Sequence, residues 1–228
     1  MTDAERRGQV AVLGATREAD AARSLVLEAG LVLRAEPMAA SLPLRLLIDA
    51  HHPFDEEASA AATAAAERQG ITYLRFTRPP WTPSDEDRWI VVTSPEEAAE
   101  AVLRGGWHRV FMTLGRGRLA AFSGLRDVWF LVRLREETPS SPPLRLPLER
   151  YETLYGGGPF ERGGEAAILR QHGIDCLVTR NDGSPGAWPK LAAARTLGLP
   201  VVMLERAPAI PGTVYDIDTL AARLRQLI

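Results

Sequence analysis

The chain has 228 residues, of which 46% are hydrophobic, and its formal net charge at pH 7 is -2. It can therefore bury the core of one large domain or of two small ones, since single domains commonly hold about 100 to 150 residues. The nearly balanced charge argues against a broad basic surface for binding nucleic acid or an acidic membrane.

Short apolar runs alternate with helical patterns in the first part of the chain. We predict strands at 9–14, 44–50 and 71–76, and helices at 17–30 and 54–70. The resulting order is β-α-β-α-β, which is typical of a parallel sheet whose connecting helices cover its faces.

The same alternation resumes after a proline-rich turn near residue 80. The predicted strands there are 88–93, 108–117, 128–134, 151–160, 175–180 and 200–206, and the predicted helices are 95–103, 164–173, 190–198 and 217–227. Near-continuous apolar strands joined by helices indicate parallel sheets, so the predicted fold class is α/β with two doubly wound units. We divide the chain into an N-terminal domain, 1–93, and a C-terminal domain, 94–228. The proline-rich stretch 136–147 is predicted to be a flexible loop.

The composition also limits the chemistry that the chain can perform. Cys176 is its only cysteine and lies in the apolar run "IDCLV", so we predict a packed thiol and exclude a disulfide and a zinc-binding set. No run reaches the roughly 18 apolar residues of a membrane span, and the start "MTDAERRG" lacks the features of a signal peptide. We therefore expect a cytoplasmic protein without a membrane partner.

Ligands of doubly wound sheets bind beyond the carboxyl ends of the strands, so the loops that follow the apolar runs are the informative ones. Five of these loops are rich in glycine and polar residues: "LGATRE" (13–18), "IDAHHPF" (48–54), "MTLGRG" (112–117), "YGGGPF" (155–160) and "VTRNDGSPG" (178–186). Taken singly, each fits ordinary turn formation, and none contains a full G-x-G-x-x-G motif. The last loop leads to Lys190, which is the only lysine in the chain.

Taken together and in order, the loop motifs resemble those of the precorrin-6A reductases of cobalamin biosynthesis. The matching segments are "GATREA" (14–19), "DAHHPFD" (49–55), "RPPW" (78–81), "DRW" (87–89), "TLGRGRLAAF" (113–122), "GGPF" (157–160) and "TRNDGS" (179–184), with Lys190 in register. The D-A-x-H-P-F match is the most distinctive single motif, and the ordered set covers most of the chain.

The resemblance implies an enzyme with two Rossmann-like domains and a ligand site between them. It would use NADPH to reduce one double bond of a corrin-ring precursor, converting precorrin-6A or cobalt-precorrin-6A to the 6B form. The cofactor-binding residues implied or inferred on this basis are Thr113, Gly115, Arg116, Arg133 and Gly158. Arg116 would meet a cofactor phosphate, and Arg133, at the end of the following strand, would meet the 2′-phosphate of NADP.

The macrocyclic substrate of the family carries acetate and propionate carboxylates, which a loop with arginine, asparagine and lysine is suited to bind. The expected substrate-binding residues are Gly14, Thr16, His52, Pro53, Phe54, Arg180, Asn181 and Lys190. The proton donor is not identified: His52, Asp49 and water are alternatives, and His51 is expected to face solvent or to cap its loop. We expect no metal site and no nucleic-acid partner. We do expect transient contacts with neighbouring pathway enzymes.

Several positions depart from the family pattern. The chain is shorter than usual between Gly30 and Leu44, and His51 stands where the family has a threonine. Other substitutions within the motifs are Ala15, Asp55, Gly157, Arg180, Asp182 and Ser184. Two alternative functions therefore stay open: a catalytically silent tetrapyrrole-binding member of the family, and a nucleotide-binding α/β oxidoreductase that acts on a smaller substrate.

Overall fold

The computed structural model describes residues 9–34, 44–135 and 145–227. Most of the predicted flexible loop, residues 136–144, lies outside these ranges, as does the centre of the shortened segment, residues 35–43. The chain forms two compact units: unit 1 comprises Met1–Pro79 together with Ala207–Ile228, and unit 2 comprises Pro80–Arg206.

The described residues contain ten strands and six α-helices. The strands are β1 (Gln9–Leu13), β2 (Val32–Arg34), β3 (Leu44–Asp49), β4 (Thr72–Arg75), β5 (Trp89–Val92), β6 (Arg109–Met112), β7 (Trp129–Leu134), β8 (Tyr151–Tyr155), β9 (Cys176–Arg180) and β10 (Val201–Leu204). The helices are α1 (Arg17–Glu28), α2 (Glu56–Gln69), α3 (Pro95–Gly105), α4 (Arg162–Gln171), α5 (Trp188–Thr196) and α6 (Ile217–Leu227). Short 3-10 helices span Arg116–Phe122 and Pro185–Ala187.

Unit 1 is built on a four-stranded sheet in the order β2-β1-β3-β4, with all neighbouring strands parallel. Helices α1 and α6 contribute Val26, Leu220 and Leu224 to one apolar cluster, which also contains Ile48 of β3. The small side chains of the alanine-rich helix α2 let it pack closely on a second cluster, to which Leu47 of β3 belongs. Because β3 contributes to both clusters, its apolar run is continuous rather than alternating.

Unit 2 is built on a six-stranded parallel sheet in the order β5-β10-β9-β6-β7-β8. Helices α4 and α5 bury Leu169 and Leu191 in a cluster with Phe111, Leu177 and other strand residues. The predicted fold class, α/β with two parallel-sheet domains, is confirmed.

The division of the chain differs from the predicted boundary between residues 93 and 94. Strand β5 precedes that boundary but pairs with β10, with Trp89 opposite Val201, and so belongs to unit 2. The last segment returns to unit 1, where Val214 forms a parallel bridge with Phe76. Apolar periodicity identifies a strand but does not indicate which sheet it joins, and this is why the sequence pattern misplaced both segments.

Each sheet has a point at which the direction of strand addition reverses. In unit 1, β1 leads to β2 on one side and is flanked by β3 on the other; in unit 2, β6 leads to β7 on one side and is flanked by β9 on the other. Such reversals open a crevice at the carboxyl ends of the two diverging strands, and ligands of doubly wound sheets bind there. The loops that follow β1, β3, β6 and β9 are therefore the ones that build candidate sites.

Candidate functional site

The reversal point of unit 1 joins the loop after β1 to the loop after β3. The Ala50 amide donates to the Leu13 carbonyl at 2.9 Å, and the Thr16 hydroxyl donates to the Ala50 carbonyl at 2.7 Å. The same hydroxyl oxygen accepts from the Ala19 amide and thereby caps α1. Gly14 has φ +108°, and a Cβ there would collide with the Ala50 carbonyl. Glycine is therefore required for this close approach.

Asp49, the last residue of β3, is fully buried and accepts four hydrogen bonds or ion-pair contacts. Its Oδ2 accepts from the Tyr73 hydroxyl at 2.6 Å, and its Oδ1 lies 2.7 Å from Nη1 of Arg75. Burial alone would raise the pKa of Asp49, but the hydrogen bonds from Tyr73 and the His51 amide, with the Arg75 charge, outweigh burial and lower it. Asp49 is therefore a carboxylate at neutral pH, not a proton donor.

The two histidines of the D-A-H-H-P-F segment have different partners. His51 is partly exposed, and its Nδ1 lies 2.7 Å from Oδ1 of Asp49, which also accepts the His51 amide at 3.0 Å. His52 uses its own Nδ1 to accept the Phe54 amide at 3.2 Å, which closes the loop. Pro53 and Phe54 are buried, so they shape the loop. His51, predicted to face solvent or cap its loop, is instead paired with Asp49.

The reversal point of unit 2 brings the ends of β6 and β9 together. The Thr113 hydroxyl donates to the Thr179 hydroxyl at 2.7 Å, and the Thr113 amide donates to the Val178 carbonyl at 2.9 Å. Gly115 follows with φ +84° and precedes the 3-10 helix that begins at Arg116. A Cβ at Gly115 or at Gly117 would meet nothing within 4 Å. The backbone of this loop is therefore open to a ligand.

Gly158 belongs to the loop that follows β8. It precedes Pro159 through a cis peptide bond, and a Cβ on it would lie 3.4 Å from the Phe160 ring. The neighbouring Gly157 has open space in the same test. Part of this loop is thus packed and part is open.

Arg133, the predicted partner of the 2′-phosphate, lies in a buried ion pair. Its Nη1 and Nη2 contact the two carboxylate oxygens of Glu165 in α4, each at 2.9 Å. The Phe111 and Phe160 rings cover the guanidinium, with centroids 4.8 and 4.2 Å from its central carbon. Both terminal nitrogens of Arg133 are thus occupied by a carboxylate.

Asn181 is almost fully buried and bridges three segments of unit 2. Its side chain accepts from the Trp81 amide at 2.7 Å and donates to the Trp81 carbonyl at 2.9 Å. It also donates to Oε2 of Glu205, which follows β10, at 2.9 Å. Asn181 therefore holds the R-P-P-W segment against the ends of β9 and β10, while the preceding Arg180 is half-buried.

Lys190 lies in the first turn of α5 and is only 6% exposed. Its ammonium donates to the Ala187 carbonyl at 3.0 Å and lies 5.5 Å from the centroid of the Trp81 ring. Burial lowers the pKa of Lys190 to about 8, although the nearby charges of Asp182 and Glu165 counteract part of this effect. The burial places its ammonium inside unit 2 rather than on an exposed loop.

Four residues that contact the predicted site residues were not themselves predicted as site residues from the sequence: Tyr73, Arg75, Glu165 and Thr179. The sequence pattern could have indicated Tyr73 and Arg75. Residues two apart on a strand share a face, and both are polar side chains in an otherwise apolar run. Glu165 lies four residues before the buried Leu169 and therefore on the buried stripe of α4. The described residues contain no group of three or more His, Cys, Asp or Glu that could hold a metal ion.

Cys176 is buried as predicted, and burial raises the pKa of its thiol. Among the described residues, no helix is both long enough and apolar enough to cross a bilayer.

Comparison with known proteins identifies relatives along almost the whole chain. The model of the family described as "Precorrin-6x reductase CbiJ/CobK" matches residues 9–225. The precorrin-6A reductase of Rhodococcus erythropolis is 37% identical over 180 residues, covering 79% of this chain and 70% of the relative. The cobalt-precorrin-6A reductase of Priestia megaterium is 30% identical over 179 residues, covering 76% and 69%.

A solved structure agrees with these sequence matches. The structure described as "CobK precorrin-6A reductase" has a TM-score of 0.78 at 31% identity and covers 96% of this chain and 97% of its own. The resemblance inferred from the ordered loop motifs is confirmed: the chain belongs to the precorrin-6x reductase family.

Proposed function

We propose that this protein uses NADPH to reduce one double bond of precorrin-6A or cobalt-precorrin-6A, yielding the 6B form during cobalamin biosynthesis. The observation that carries the proposal is the position of the family motifs. The segments at 14–19 and 49–55 meet at the reversal point of one sheet, and those at 113–122 and 179–184 meet at the reversal point of the other. These are the places where doubly wound sheets bind ligands.

The family is one of oxidoreductases, which implies a nicotinamide cofactor. The loop after β6 fits the phosphates of such a cofactor, because the backbone at Gly115 and Gly117 is open and Arg116 and Arg118 lie in the same segment. We assign the phosphates to this loop, with Thr113 at its base and Gly158 on the loop that follows β8. The bound cofactor would supply a hydride, and the chain's own task is to bind and orient the reactants.

Arg133 has an indirect part in this proposal. Its guanidinium carries the Phe160 ring on one side and holds Glu165 of α4 with two hydrogen bonds. It therefore fixes the G-G-P-F loop. We assign the preference for NADPH over NADH to Arg116 and Arg118 instead.

The proposed macrocyclic substrate carries several carboxylates, which arginine binds well. We assign substrate contacts to Gly14, Thr16, His52 and Arg180, with Pro53, Phe54, Asn181 and Lys190 supporting these loops from buried positions. Identity to the relatives named precorrin-6A reductase is 37–41%, against 28–31% for those named cobalt-precorrin-6A reductase. This difference favours the metal-free macrocycle.

A cytoplasmic location and transient contacts with neighbouring pathway enzymes complete the proposal. We infer the location from NADPH, which is a soluble cofactor. We infer the contacts from the macrocycle, which must be passed between enzymes.

The test is turnover of precorrin-6A with NADPH, followed by loss of the absorbance of reduced nicotinamide. NADH should react more slowly, and Arg116→Gln should reduce the preference for NADPH by weakening a charge-assisted contact of about 1.5 to 3 kcal/mol. Arg126→Gln is the matched control, because Arg126 is exposed and lies before the amino end of β7. Macrocycle binding without NADPH oxidation would support a silent family member, and cofactor binding without macrocycle binding would support a smaller substrate.

A further inference from the structure

We infer that His51 supplies the proton that completes the reduction, and that Asp49 is the positioning residue that orients it. The inference rests on the proposed function, because it assigns a role within that reaction. It differs from the three alternatives that the sequence left open for the donor, which were His52, Asp49 and water. The observation behind it is a buried carboxylate paired with a partly exposed imidazole at the reversal point of unit 1.

Asp49 is held rigidly from the neighbouring strand. Tyr73 and Arg75, which lie two residues apart on β4, contact its two carboxylate oxygens at 2.6 and 2.7 Å. Burial raises the pKa of Tyr73 to about 12, and the hydrogen bond to Asp49 acts in the same direction, so Tyr73 remains a donor. Arg75 also donates to the His51 carbonyl at 3.1 Å, which ties the loop backbone to the same strand. The carboxylate consequently has little freedom to turn.

The orientation of His51 follows from this rigid carboxylate. A carboxylate 2.7 Å from Nδ1 requires a proton on that nitrogen, which leaves Nε2 on the far side of the ring for proton transfer. The histidine is 20% exposed, so a reactant can reach the ring.

His52 is arranged in the opposite way. Its Nδ1 accepts the Phe54 amide, and protonating that nitrogen would break the bond and place two donors against each other. The ring of His52 is therefore suited to hold the loop in its neutral form. It can donate a hydrogen bond through Nε2 but is a poor imidazolium.

One carbon of the double bond receives the hydride that reduced nicotinamide supplies, and the π electron pair forms a C–H bond with the Nε2 proton at the other carbon. Oxidised nicotinamide and neutral His51 remain, and His51 regains its proton from solvent.

The test uses His51→Asn, which keeps an N–H donor near the Nδ1 position toward Asp49 but cannot act as an acid. The reduction rate at saturating substrate should fall about a hundredfold or more, with unchanged macrocycle affinity. The limb of the pH-rate profile that depends on the donor should disappear. The titratable and charged groups around His51 include Asp49, which ends β3 and contacts Nδ1, and two residues of β4: Arg75, which donates to the His51 carbonyl, and Tyr73, which contacts Asp49. The control is His108→Asn, because His108 is exposed and lies before the amino end of β6.

A second readout does not need turnover. Nitrogen-detected NMR of the imidazoles should show His51 protonated at Nδ1 in the ligand-free protein, and Asp49→Asn should abolish that preference. A wild-type rate in folded His51→Asn, or neutral His51 protonated at Nε2 instead, would overturn the inference. A wild-type protein that binds the macrocycle but never oxidises NADPH would contradict the proposed function and the donor role together, and so differs from the first result.

Discussion

At the scale of single residues, the burial of Lys190 predicts that stability depends on pH. Its pKa is lowered by burial from 10.5 to about 8, so the unfolded chain binds more protons than the folded chain between these values. The free energy of unfolding of the wild type should therefore rise relative to Lys190→Met between pH 8 and pH 10.5, by about 3 kcal/mol. Urea unfolding of both proteins across this range measures the difference, and a flat difference would mean that the ammonium is solvated.

Arg133 gives a second residue-level prediction. Arg133→Met leaves Glu165 buried without its partner and should lower the free energy of unfolding by about 3 to 5 kcal/mol. The double variant Arg133→Met with Glu165→Met should recover most of the loss, because it removes both charges. Arg126→Met, in an exposed pair with Glu149, should change the free energy by less than about 1 kcal/mol.

The same variants decide between two roles of Arg133. Loss of the preference for NADPH in Arg133→Met, with unchanged stability, would favour the role predicted from the sequence, contact with the 2′-phosphate. Loss of stability without a change of preference fits the ion pair with Glu165.

The position of Asp49 at the end of its strand could be predicted from the sequence, but its partners could not. The strand-end position of Asp49 was predicted correctly, because the carboxyl ends of apolar runs can be identified in the sequence. Its neighbours Tyr73 and Arg75 come from another strand, more than 20 positions later, and their contacts depend on strand register. Burial of Lys190 was not predicted, because the sequence pattern placed it at the start of a helix but does not indicate what packs over its side chain.

At the scale of secondary-structure elements, Asn181 connects the R-P-P-W segment to the ends of β9 and β10. Asn181→Leu should leave the Trp81 amide without its acceptor and lower the free energy of unfolding by about 1 to 3 kcal/mol. Hydrogen exchange of the Trp81 amide should become faster, while the Ala98 amide of α3, which donates to the carbonyl of the preceding Ser94, should keep its rate. Unchanged exchange at Trp81 would show that this bridge does not hold the segment.

Most elements were predicted from apolar runs, and the exceptions have physical causes. Strand β2 (Val32–Arg34) was missed because it has three residues, all half-buried, and so carries no continuous apolar signal. The predicted strands 108–117 and 151–160 ran too far, because the structure ends them at Met112 and Tyr155, before the glycine-rich turns. Apolar periodicity thus detected the buried strands, whereas their ends depend on local turn geometry.

At the scale of the whole molecule, the return of the last segment to unit 1 makes that unit discontinuous in sequence. Removing residues 207–228 would take Val214, Leu220 and Leu224 out of its core, which should cost more than about 4 kcal/mol at roughly 1.5 to 3 kcal/mol per buried side chain. Hydrogen exchange should then be faster throughout unit 1, for example at Ala50, with Leu177 in unit 2 little changed. Equal exchange in the two proteins would contradict this.

Leu220→Ala tests the same packing in the full chain. It should lower the free energy of unfolding by about 2 to 5 kcal/mol, the usual range for such a truncation in a packed core. Ile217→Ala is the matched control, because Ile217 lies on the same helix but is exposed.

Hydride transfer from NADPH to a corrin-ring precursor can be measured by following the transferred hydrogen itself. The full-length protein would be mixed with precorrin-6A and NADPH deuterated on the transferring face of the nicotinamide ring, and the macrocycle analysed by mass spectrometry. We expect a product that has gained a deuterium from the cofactor and a hydrogen from solvent, with an equal amount of NADPH oxidised. An unchanged macrocycle that is nevertheless bound by the protein would contradict it.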